Sequence, residues 1–168
     1  MSPCARPTPA RPPFSTTCAR FGHVSAERVL SGPGLVNLAT AIMAVDGRAI
    51  DSALTPESVT ALAAKGASAP AVEAMRVFSG LLGAIAGNQV LTAGALGGLY
   101  IAGGVVLRLG TLFDRALFRE RFEAKGRFSD YLKPVPTYLL TAEEPALTGL
   151  NRVVRRPPSP QRPSTLPG

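Results

Sequence analysis

Few side chains in this sequence stand where they could do chemistry. Glu27 lies in the short helical stretch Ser25–Leu30, between an apolar flank and a Gly-Pro-Gly turn. A carboxylate there can accept hydrogen bonds from a polyol, and it can equally be a solvated acid on a helix face. Gly32-x-Gly34 precedes an apolar helical run, and the free N–H groups of a helix start can hold an anion. Asn37 stands where a dinucleotide fingerprint needs its third glycine, so a plain turn between helices explains these glycines as well. His23 is the only histidine, and no Ser/His/Asp arrangement forms around it. Glu143-Glu144 reads as a solvated loop, and no Walker phosphate loop is present. Cys4 and Cys18 belong to no CxxC or Cys/His cluster, so neither a zinc site nor a disulfide framework is expected, and a cytoplasmic setting follows most simply.

The elements that must position these residues are mostly helical. Ser25 is placed to cap the first short helix, and Ser31-Gly-Pro-Gly34 interrupts the chain after it. Apolar side chains at Leu35, Leu38, Ile42 and Val45 then recur at helical spacing. Thr55-Pro56-Glu57 joins a capping hydroxyl, a proline for the first turn and an acid near the positive helix end, so a helix starts there and runs to about Gly66. Residues 71–93 read as one long helix closed by Gly94. Leu99–Ala102 reads as a buried strand bounded by Gly103-Gly104, and Val135–Thr141 as a second strand with Pro136 near its start. Two short amphipathic helices, Arg108–Arg115 and Phe118–Lys125, lie between them, with Phe118, Phe122 and Phe128 expected in the core. Helices with interspersed strands imply an α/β layer architecture, and two strands are few for a complete sheet.

Charge and hydropathy bound the partners. The net charge is +7, yet residues 1–20 and 152–168 contain only basic charges, while the stretch between holds equal numbers of acids and bases. A folded basic face for nucleic acid is therefore not indicated. Both ends are rich in Arg and Pro and read as disordered. Their abrupt change of composition is the pattern expected of sequence read out of frame. From Val77 to Leu107 no residue is charged, long enough for a bilayer and carrying GxxxG spacings at Gly83/Gly87 and Gly94/Gly98. Asn88-Gln89 within the stretch and the glycines that break it favour instead a buried helix followed by a buried strand.

Several blocks, in order, resemble the bacterial glucokinases of the non-ROK type. They are Arg20-Phe-Gly-His-Val-Ser-Ala-Glu-Arg-Val-Leu-Ser-Gly-Pro-Gly-Leu35, then Leu54-Thr-Pro-Glu57, then Ala86-Gly-Asn-Gln-Val-Leu-Thr-Ala-Gly-Ala-Leu-Gly-Gly-Leu-Tyr-Ile-Ala-Gly-Gly104. Arg121-Phe-Glu-Ala-Lys-Gly-Arg-Phe128, Pro136-Thr-Tyr-Leu139 and Pro145-Ala-Leu-Thr-Gly149 complete them. The resemblance implies a partial actin-like ATPase lobe of ribonuclease-H type over residues 20–150, helix-rich, flanked by disordered tails at 1–19 and 151–168. It implies ATP and Mg²⁺ as cofactors and D-glucose as substrate, with Glu27 contacting sugar hydroxyls and Gly103 and Gly104 beside the adenosine part of ATP. A homodimer is a further partner to expect; a membrane or nucleic acid is not. The family's Asp-x-Gly-Gly-Thr phosphate loop and its Asn-Asp pair, whose aspartate is the general base, are absent, so no catalytic residue is expected here and the chain alone is expected to be inactive.

Overall fold

A computed structural model describes residues 25–142 and 144–155. His23, Cys4, Cys18, Glu143 and the expected tails, apart from residues 151–155, lie outside the described residues. Seven helices and two short strands follow the order α1 Gly32–Val45, α2 Pro56–Ala64, α3 Ala69–Ala93, β1 Leu99–Ile101, α4 Gly104–Leu109, α5 Arg115–Glu123, α6 Ser129–Leu132, β2 Thr137–Leu139 and α7 Pro145–Val154 among the described residues.

Local chemistry sets most of these boundaries. Ser31 caps α1 by accepting from Gly34 N–H at 3.1 Å, with Pro33 in the first turn. The Gly-Pro-Gly segment is therefore the opening turn of α1, not an interruption before it, because a proline early in a helix removes only an N–H that has no partner. The stretch expected as a helix at Ser25–Leu30 is a 3₁₀ turn at Ala26–Arg28, and Ser25 makes no side-chain cap. Thr55 caps α2 as expected, in a reciprocal box: Ser58 N–H donates to Thr55 Oγ1 at 3.1 Å, and Thr55 N–H donates to Ser58 Oγ at 2.9 Å. Helix α3 starts two residues before the expected Ala71, capped by Ser68 with Pro70 in its first turn.

Helix α3, about 37 Å long at 1.5 Å per residue, is the spine of the molecule. Its first half packs with α1, α2 and α4 around Leu38, Val59, Met75 and Phe78; its second half packs with α5 and α6 around Phe118, Phe122 and Leu132. Half of its most apolar window is buried inside the protein, although the helix is long and apolar enough to cross a membrane. The uncharged stretch Val77–Leu107 is thus divided among α3, β1 and α4, and Gly83 and Gly87 lie directly against the backbone of α5.

Further expectations need correction. The stretch Arg108–Arg115 is not one helix: α4 ends at Leu109, Gly110 takes φ +53°, a 3₁₀ turn spans Gly110–Leu112, and Asp114 caps α5. A left-handed residue cannot continue a helix, which is why the run breaks there. Strand β1 is only half-buried, through Leu99 and Ile101, since Tyr100 is 60% exposed and stacks on the exposed Tyr138 with ring centroids 5.0 Å apart. Phe128 is exposed beneath the Arg127 guanidinium, whereas Phe118 and Phe122 are core. The two strands pair in parallel, Leu99 with Thr137, Tyr100 with Tyr138 and Ile101 with Leu139. Arg119 holds the approach to β2, donating to the carbonyls of Val135 at 2.7 Å and Lys133 at 2.6 Å while pairing with Glu123. Helix α7 crosses residue 150, so helical backbone continues through Val154.

Candidate functional site

Glu27 is exposed on the 3₁₀ turn that leads into α1. Three contacts fix that turn. Val29 is buried in the core beside α1. Gly34 lets the two segments touch, because a Cβ on it would stand 2.6 Å from the carbonyl carbon and oxygen of Val29. Asn37, one turn further along α1, donates from Nδ2 to the Arg28 carbonyl at 2.9 Å. Asn37, the residue that spoils a dinucleotide fingerprint, thus joins Gly34 in holding the Glu27 turn against α1. Sequence reasoning missed this role; the signal was Gly34 and Asn37 following a short polar turn.

Gly103 and Gly104 form the turn from the carboxyl end of β1 into α4. Gly103 takes φ +119° and ψ +151°, a conformation open essentially to glycine alone, and among the described residues no atom beyond its immediate chain neighbours lies within 4 Å of where its side chain would be. In open parallel sheets ligands bind outside the carboxyl ends of the strands, and this turn leaves its backbone bare at that place.

The two expected sites are on different elements, and a groove of about 340 Å³ lies between those elements. Gly32 and Leu35 of α1, Ala61 of α2, and Val105 and Leu109 of α4 give it apolar walls, while Glu57, Thr60 and Arg108 supply its polar groups. It therefore touches the start of α1, just beyond the Glu27 turn, and the first turn of α4, just beyond Gly104. Arg108, which the sequence marked only as part of an amphipathic helix, is its cation. A larger open hollow, about 860 Å³, lies under Met75, Arg76, Phe113 and Arg115, and neither it nor the groove is lined by Glu27, Gly103 or Gly104. No group of three His, Cys, Asp or Glu side chains that could hold a metal exists among the described residues.

A family model described as Glucokinase matches residues 14–157. The chain belongs to the glucokinase family. The match extends beyond residues 20–150 at both ends. The glucokinase of Aromatoleum aromaticum is 53% identical over 136 residues, which is 81% of this chain and 41% of that protein. The glucokinase of Nitrobacter hamburgensis is 50% identical over 135 residues, 80% of this chain and 42% of that protein. The crystal structure of a glucokinase from an Antarctic psychrotroph superimposes with a TM-score of 0.77 at 34% identity, covering 83% of this chain and 44% of that one. This glucokinase-family chain therefore spans about two fifths of the length of the relatives it matches.

Proposed function

We propose that the chain is the C-terminal lobe of an ATP-dependent glucose phosphotransferase with an actin-like, ribonuclease-H-type fold. In this reading Glu27 accepts hydrogen bonds from D-glucose hydroxyls, and the Gly103-Gly104 turn carries the adenosine part of ATP. The observation that carries it is the bare, positive-φ Gly103 at the carboxyl end of a parallel strand, next to an apolar groove large enough for a base. The reading includes a cytoplasmic setting, a homodimer as the expected assembly and Arg/Pro-rich ends, at 1–19 and 151–168, that take no part in binding.

Phosphoryl transfer is chiefly positioning and charge stabilisation: an in-line acceptor, donors around the phosphates and a metal ion. This chain's residues can orient a sugar through Glu27 and seat a nucleoside at Gly103. No group of three acidic, His or Cys side chains is present among the described residues, and no residue here is assigned to Mg²⁺. No Asp-x-Gly-Gly-Thr loop or Asn-Asp pair supplies phosphate donors or a base. The chain alone is therefore expected to bind but not to turn over. A coupled assay for glucose 6-phosphate, run on the chain alone and with the N-terminal portion of a full-length relative added, tests this. Turnover by the chain alone would refute the half-site reading.

A further inference from the structure

We propose that Arg108 is a nucleotide-contacting residue, its guanidinium reading the phosphate next to the ribose while the base lies in the apolar groove. The inference rests on the nucleotide reading of the Gly103-Gly104 turn and adds to it the charge that the turn itself lacks.

Three observations converge on this side chain. Arg108 stands one helical turn beyond Gly104, so it projects over the same face of α4. Its guanidinium is folded back onto the glycine turn: Nε and Nη2 lie 3.8 Å, and Cζ 3.9 Å, from the position of a Cβ on Gly104. It is exposed and makes no hydrogen bond or ion pair with any other described residue. An arginine that served only to stabilise the fold would be expected to bond a carbonyl or a carboxylate, as Arg119 does.

The composition of the groove then orients the ligand. Its walls are apolar and accept the face of a base; its charged groups among the described residues are Glu57, from the first turn of α2, and Arg108. Phosphate is repelled by the Glu57 carboxylate and attracted to the guanidinium, whose fork of N–H donors matches two phosphate oxygens. The ribose therefore lies at the Gly103-Gly104 turn with the phosphate next to it under Arg108, and the base lies between α1, α2 and α4. Because the contact is exposed, salt should screen it.

The test is calorimetric titration of the chain with adenosine, AMP and ADP, at low and high salt, for the wild type, Arg108→Gln and Arg108→Lys, with circular dichroism to establish that the variants fold. Arg108→Gln should weaken AMP and ADP about tenfold and leave adenosine unchanged, as expected for one charge-assisted contact. Arg108→Lys should recover part of the loss. In the wild type, added salt should erode AMP affinity but not adenosine affinity, a readout that needs no variant. AMP binding that is indifferent to both salt and Arg108→Gln would overturn the role of Arg108 and leave the nucleotide reading standing. A wild-type chain that binds neither adenosine nor AMP would remove the nucleotide reading and this inference together.

Discussion

The backbone carbonyl of Phe118 occupies the space that a side chain on Gly83 would need. Four residues further along both helices, the carbonyl of Phe122 does the same to Gly87. Helices α3 and α5 therefore cross with backbone against backbone, and Lys125 closes the crossing by donating from Nζ to the Ala84 carbonyl at 2.7 Å. Burial there holds the Lys125 ammonium below the usual lysine range.

Gly83→Ala is expected to force the helices apart and to destabilise the fold by about 1–3 kcal/mol, the usual range for overpacking. Gly87→Ala should act alike. Gly80 is the internal control, because a Cβ there meets side-chain carbons at ordinary contact distance, Leu117 at 3.5 Å and Arg121 Cγ at 3.6 Å. Gly80→Ala should be neutral or stabilising by up to about 1 kcal/mol through helix propensity. Thermal melts of the three variants decide the matter; equal effects at 80 and 83 would contradict the crossing.

Ser79 is the only buried polar residue among those described, and its hydroxyl both donates and accepts. It donates to the Met75 carbonyl at 2.9 Å and accepts from Asp114 N–H at 3.0 Å. Asp114 in turn caps α5 by accepting from Leu117 N–H at 2.9 Å. Ser79→Ala strands the Asp114 N–H and should cost about 1–3 kcal/mol. Asp114→Ala should cost about 0.5–2 kcal/mol as a lost cap. The double variant should lose less than the sum, since both act on one helix start; strict additivity in urea melts would show the two contacts to be independent.

Asn37 lies behind the Glu27 turn and gives the sugar reading a test that does not touch the sugar. Glu27→Gln should weaken glucose binding about tenfold or more, the scale of a hydrogen bond to a charged group. Asn37→Ala should weaken it less, through loss of the Arg28 carbonyl contact. If glucose titrations of Asn37→Ala match the wild type while Glu27→Gln is also silent, Glu27 is a solvated acid and nothing more.

Gly103 can be probed through its backbone. At φ +119°, Gly103→Val is strained by about 1–3 kcal/mol and fills the open side of the turn. Both adenosine and AMP binding should be lost, unlike the charge-selective loss at Arg108. Retention of adenosine binding by a folded Gly103→Val protein would place the nucleoside elsewhere.

The sequence by itself determined what is local. The Thr55 cap with Pro56 and Glu57, and the long small-residue run of α3, were legible because caps and periodicity act within a few residues. The family, too, was written in ordered blocks. The candidate residues Glu27, Gly103 and Gly104 could be named from those blocks, but not what holds them. Tertiary structure decided that Gly83 and Gly87 serve a helix crossing inside a protein core, since GxxxG states only that two backbones come close and not what surrounds them. It decided that Gly34 and Asn37 brace the Glu27 turn, and that Arg108 lies over Gly104 rather than within a longer amphipathic helix. These are contacts between segments or through side-chain direction, and no spacing rule along one element contains them.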